Sequence, residues 1–175
     1  AGWTVREHPV PGGWPRPAPD ERAELAARLA TVPDNDLVLL DGLVASAAPD
    51  ALAPHAGRLR LAVLMHMPLA DDDERAALGA VAAIVTTSEW TRRRLLDLYP
   101  LPAGRITVAT PGVDPAPVTV GSESGGRLLC VAALTNAKGH DLLIDALARL
   151  PDGLWACALV GSLTRDPAFV ARIRT

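Results

Sequence analysis

The chain has 175 residues, of which 49% are hydrophobic and 21% charged, and it carries a net charge of -3. That composition is globular, and the lack of a basic surplus speaks against a nucleic-acid partner. No apolar run approaches the roughly 20 residues needed to span a bilayer, no leader pattern opens the chain, and the length allows one ordinary domain or pieces of two.

The opening residues 3–8 alternate in polarity and can form a strand. Asp20 is placed to cap a helix whose Leu25 and Leu29 lie on one face, with Val32-Pro33 as its stop. Residues 37–40 (LVLL) make a short continuous apolar run ending at Asp41, as expected of a strand covered on both faces. Similar runs occupy residues 59–65, 81–86 and 105–109, and then 127–132 and 154–160. Asp71-Asp72-Asp73-Glu74 puts negative charge at a helix start, where the helix dipole favours it. Thr86 or Ser88 can cap a helix carrying Leu95, Leu96 and Leu98, which Tyr99-Pro100 stops. Leu142, Leu143, Ala146, Leu147 and Leu150 form one apolar helical stripe, closed by Pro151-Asp152-Gly153.

Strands alternating with helices predict right-handed βαβ units and an α/β fold with a mainly parallel sheet. The segment 111–126 (PGVDPAPVTVGSESGG) lies between two strands without a helical pattern and is the candidate domain boundary. It divides the chain into a domain at residues 1–118, a linker at 119–126 and a second domain opening at 127–175.

Cys130 and Cys157 lie inside apolar strand-like runs, where cysteine acts as a small hydrophobe, and a reducing cytoplasm suits them. Lys138 is the single lysine beside sixteen arginines. Keeping a lysine against that bias points to a position that wants a compact ammonium rather than a planar fork.

In parallel α/β sheets, ligands bind beyond the carboxyl ends of the strands. The segments found there are Asp41-Gly42, His66-Met67-Pro68, Thr86-Thr87-Ser88-Glu89, Pro111-Gly112-Val113-Asp114, Thr135-Asn136-Ala137-Lys138-Gly139 and Gly161-Ser162. His66 ends an apolar strand and can aim an imidazole into a crevice, to hydrogen-bond a substrate hydroxyl or oxyanion. Lys138-Gly139 precedes a helix, where backbone N–H groups and an ammonium together favour a phosphate or diphosphate. Gly112 and Gly161 can serve tight turns or let a ligand approach the backbone. His8, His55 and His140 have no convergent partners in sequence and are expected at the surface. No spacing of His, Cys, Asp or Glu suggests a metal site. Ser122-Glu123-Ser124-Gly125-Gly126 lacks the spacing of a phosphate-binding loop and precedes a strand instead of following one.

Four stretches in order resemble the retaining glycosyltransferases of family 4, also called group 1. They are LMHMPL at residues 64–69, VTTSE at 85–89 before an arginine-rich helix, ITVATPGVD at 106–114, and LLCVAALTNAKGHDLL at 128–143. With their flanking strands they span about residues 36–162. The opening VREHPVPGGWP is similar to an actinobacterial-type branch of that family.

The resemblance implies a GT-B fold of two Rossmann-like, doubly wound parallel-sheet domains, both incomplete in this chain. The domain at 1–118 would lie on the acceptor side and lack its first strand, and the domain at 127–175 would begin the nucleotide-sugar side. The implied reaction moves a sugar from a nucleoside diphosphate donor to an acceptor, with retention at the anomeric carbon and without a metal or other cofactor. His66 would sit at the reaction centre and Lys138 with Gly139 would hold the donor diphosphate. Gly112, Val113, Thr135 and Gly161 would line the cleft, with Ser88 and Glu89 on the acceptor side. The partners implied are a nucleotide-sugar and an acceptor, in the cytoplasm or at the inner membrane face.

One departure from the family pattern is Ala132-Ala133, where a Gly-Arg pair is usual. The family's glycine-rich loop would precede Ala1 and its paired glutamates would follow Thr175, so this chain by itself is expected to have little or no activity. The rival readings are a nucleotide-sugar 2-epimerase, a non-catalytic nucleotide- or sugar-binding module, and a generic flavodoxin-like domain with Lys138 at its surface.

Overall fold

A computed structural model describes Gly2, residues 4–151 and residues 153–174. Trp3 of the expected opening strand and Asp152 of the expected helix stop lie outside the described residues. The chain divides into two compact units, Ala1–Val113 and Asp114–Thr175.

The first unit is a four-stranded parallel sheet of β1 (Leu37–Asp41), β2 (Arg60–Met65), β3 (Ala83–Thr86) and β4 (Ile106–Val108), paired in that sequential order. Helix α1 (Pro19–Ala30) precedes β1, and α2 (Gly42–Ser46) and α3 (Pro49–Leu52) follow it. Helices α4 (Asp72–Ala80) and α5 (Glu89–Leu98) make the next two crossovers. Right-handed crossovers between strands added in one direction place every connecting helix on the same face. The register agrees: Leu40, Leu61, Val63, Met65, Ile84 and Ile106 share one face and all belong to the core, together with Leu52, Leu78 and Leu95 from the helices. On the opposite face of edge strand β1, Leu39 remains 60% exposed. This is the parallel-sheet α/β arrangement expected, with an incomplete sheet.

Residues 4–8 form no strand; Val5 is exposed and no sheet edge receives this segment, so alternation alone did not make a ladder. Asp20 lies within the first turn of α1, and the cap position is Ala18. Glu21 does the capping instead, accepting from the Ala18 N–H at 2.7 Å and from Gly13 N–H. The acidic run at residues 71–74 stands at a helix start as expected, with Asp71 as the N-cap accepting from Glu74 N–H at 2.8 Å, and of the two candidates for α5 it is Ser88 that accepts from Thr91 N–H at 3.1 Å.

The second unit pairs β5 (Arg127–Val131) with β6 (Ala156–Val160) in parallel, joined through α6 (His140–Leu147) and followed by α7 (Pro167–Ile173). The stripe expected on α6 is only partly used: Leu147 is buried, whereas Leu142 is 72% exposed and Leu150 is exposed too. A two-stranded sheet is too narrow to cover a whole helical face. For the same reason Cys130 and Cys157 are half-buried rather than sealed, and both are free thiols. Residues 109–121 carry no helix or strand.

Candidate active-site loops

In the first unit the segment after β2 is held at both ends. At its start, the Thr91 hydroxyl donates to the His66 carbonyl at 3.2 Å, and Thr91 is itself buried and 2.9 Å from the Ser88 hydroxyl oxygen. At its far end, Leu69 N–H donates to both carboxylate oxygens of Glu74 at 3.0 Å, and Ala70 N–H donates to Oε2 at 3.1 Å. Ala70 adopts a left-handed conformation with φ 65°. Such a conformation is unfavourable for a residue with a Cβ, and the surrounding bonds must hold it. Between these pins His66 and Met67 are exposed. The imidazole is therefore presented to solvent from a fixed backbone.

Glu74 was expected as one of several helix-start charges, and it is instead fully buried. It also accepts from the Ser46 hydroxyl at 3.1 Å and from the Tyr99 phenol at 2.5 Å. Every partner is a donor, so the carboxylate is satisfied where a lone buried charge would be costly. Burial, reinforced by the hydrogen bond to Glu74 and by the charges of Glu74 and Asp71, pushes the Tyr99 phenol well above its ordinary range, while Arg75 opposes the shift. Thr91, Ser46 and Tyr99 were missed as members of this site. The only trace in sequence was that Glu74 stands three residues after a good cap, a position equally natural for a solvated carboxylate.

The other first-unit candidates have local roles. Ser88 is the α5 cap, and Glu89 is an exposed partner of Arg92 and Arg93, each at 3.3 Å. Through Thr91, the Ser88–Glu89 turn and His66 are brought side by side. Gly112 and Val113 lie in the irregular segment after β4, exposed and apart from His66 in sequence; nothing lies within 4 Å of where a Gly112 Cβ would be. Asp41 caps α2 by accepting from Leu43 N–H at 2.8 Å. A side chain on the adjoining Gly42 would run into the Leu64 carbonyl at 2.9 Å, so this glycine permits close packing of α2 on β2.

In the second unit, the segment after β5 carries Thr135, a 3₁₀ turn at Asn136–Lys138, and Gly139 as the N-cap of α6. Gly139 is left-handed, φ 65°, which a glycine adopts without strain and which turns the chain into the helix. The Gly139 cap has no side chain to accept from α6; in the first turn Leu142 N–H donates to Asp141 Oδ1 at 3.1 Å, and Lys138 is exposed just before the helix. Arg172 from α7 steadies the turn, donating to Asn136 Oδ1 at 3.1 Å. Gly161 follows β6, and a Cβ there would collide with the Ala132 carbonyl. Its glycine is thus required by close packing of the two strand ends, beside Ala132-Ala133.

His140, expected at the surface, is fully buried. The left-handed turn at Gly139 starts α6 with this ring facing inward, edge-on to Phe169 with centroids 6.3 Å apart. Neither ring nitrogen has a hydrogen-bond partner. His55 is half-buried and accepts from Arg58 Nε at 3.1 Å, while His8 is exposed as expected. Among the described residues no cluster of three or more His, Cys, Asp or Glu side chains could hold a metal ion, and no helix is long and apolar enough to cross a membrane.

The model of Glycosyltransferase Family 4 matches residues 5–117. No curated protein matches the chain. The crystal structure of TarM superposes with a TM-score of 0.55 at 14% identity, over 89% of this chain and 34% of that one. A mutant TarM from S. aureus, solved in complex with Fondaparinux, alpha-GlcNAc-glycerol and UDP, gives a TM-score of 0.54 at 12% identity, over 88% of this chain and 34% of that one. The chain thus spans about a third of the length of these structures. At such identities the likeness is one of fold, and it makes this α/β arrangement of parallel sheets GT-B in type. The family match covers well over half of the 175 residues, so the chain belongs to Glycosyltransferase Family 4.

Proposed function

We propose that the protein transfers a sugar from a nucleoside diphosphate donor to an acceptor, with retention at the anomeric carbon and without a metal. The observation that carries this reading is the loop after β5. It sets the chain's single lysine, exposed, against the first turn of α6 behind a left-handed glycine cap. An ammonium at the start of a helix would stabilise the charge that develops on a departing diphosphate, which is electrostatic catalysis. The TarM complex with UDP supports a nucleoside diphosphate as the guest. His66, exposed on its pinned loop, would contact the sugar, while Gly112, Val113, Thr135 and Gly161 would border the substrates and Ser88 and Glu89 the acceptor. The expected place of action is the cytoplasm or the inner membrane face.

Titration of the full-length protein with UDP and GDP tests this. Lys138→Ala should weaken binding by about 1–3 kcal/mol, the range for a charge-assisted contact. Binding untouched by that change removes the diphosphate reading. A second reading, a non-catalytic nucleotide- or sugar-binding module, is favoured by Ala132-Ala133 just after β5, in place of a Gly-Arg pair. UDP binding without nucleotide release from any UDP- or GDP-sugar would select it.

A further inference from the structure

The buried carboxylate of Glu74 lies away from solvent, so it is placed to act on the site through the backbone. It collects four groups from three separate parts of the chain: Ser46 at the end of α2, the Leu69 and Ala70 amides, and the phenol of Tyr99 after α5. The two amides belong to the segment that begins with His66. Ser46 ends α2 and Tyr99 directly follows α5, so the carboxylate ties the His66 segment to the helical layer at several points at once. Without it, left-handed Ala70 would have no bond from its N–H among those described, and the segment would relax toward the common backbone regions. The other end, at the His66 carbonyl, is held by the Thr91 hydroxyl across 3.2 Å.

We infer that Glu74, with Tyr99 and Ser46 as its supports, is a positioning residue that sets where the His66 imidazole stands. The inference rests on the catalytic reading of His66 given above. Small displacements of a reacting group are expensive, since an error of about 1 Å can cost on the order of 100-fold in rate. Glu74→Gln keeps the size of the side chain but replaces one acceptor oxygen with a donor, which would face the donors now bound there.

The test measures two quantities in the full-length protein: hydrogen exchange of the Leu69 and Ala70 amides, and the kcat and KM for nucleotide release from UDP- and GDP-sugars. In Glu74→Gln the two amides should exchange faster, and kcat should fall about 10- to 100-fold with the donor KM little changed. Tyr99→Phe and Ser46→Ala should move both quantities in the same direction by less. If Glu74→Gln does not fold, these two variants decide the matter by the same readouts. A folded variant of lowered melting temperature with unaltered exchange at both amides and unaltered kcat would mark Glu74 as merely structural and overturn the proposal. The two ideas separate cleanly. If His66→Ala retains full kcat, the catalytic reading fails, and the exchange data still decide whether Glu74 holds the loop. If His66→Ala loses kcat and Glu74→Gln does not, only the positioning role is lost.

Discussion

The phenolic oxygen of Tyr99 lies 2.5 Å from Oε2 of Glu74, with both side chains closed off from solvent. This single contact links the end of α5 to the start of α4 and, through the carboxylate, to the loop that carries His66. It also gives the protein a dependence on alkaline pH.

Burial first, and then Glu74, hold the Tyr99 phenol above its ordinary value, so the folded state keeps a proton that the unfolded state gives up. Stability from this group is fully present below the ordinary phenol value of about 10 and declines as pH rises from there toward the folded value. Tyr99→Phe should remove this part of the alkaline loss while lowering stability at neutral pH, where Glu74 loses a donor. Because Tyr99 is the only tyrosine, phenolate absorbance during an alkaline titration reads this residue alone. A phenol titrating at its ordinary value would contradict the buried pairing.

Ser88 supplies the N-cap of α5 and also touches the Thr91 hydroxyl. Replacement by alanine should cost about 1 kcal/mol, with glycine costing only a few tenths. Urea midpoints of the two variants give the comparison. Equal losses would mean that the side-chain cap contributes little.

Gly161 and Gly112 are expected to respond in opposite ways to the same substitution. A methyl group at Gly161 meets the Ala132 carbonyl, so Gly161→Ala should destabilise by about 1–3 kcal/mol as the strand ends are forced apart. Gly112 has open space around it, and Gly112→Ala should stay within about 0.5 kcal/mol. Thermal melts of both variants suffice to check the contrast.

Arg58 closes the carboxyl end of α1, donating to the carbonyls of Leu29 and Val32 at 2.6 Å each and to Asp34 at 3.0 Å. A lysine has the charge but lacks the planar fork that reaches these acceptors together. Arg58→Lys should therefore lose about 1–3 kcal/mol, because the partly buried carbonyls go unpaired. Chemical denaturation would reveal it, and a neutral result would show that water replaces the guanidinium.

Much of the architecture is local in origin and could be read directly from residue order. The strands β1–β6 among the described residues fall on the short apolar runs of the sequence, and Asp71 and Ser88 cap the helices they precede. The candidate loops follow from that pattern, since strand ends in a parallel sheet mark where ligands come. The lone lysine ahead of α6 stood out by composition alone. What residue order could not determine is which polar groups are enclosed. Glu74 and His140 look like solvated side chains in one dimension, and both lie in the interior. Their burial depends on contacts with Tyr99, Ser46 and Phe169, each more than twenty residues away. The small helices α2 and α3 and the half-used stripe of α6 were undecided for a related reason. Periodicity shows which face of a helix is apolar, but the width of the sheet beneath it decides how much of that face is covered.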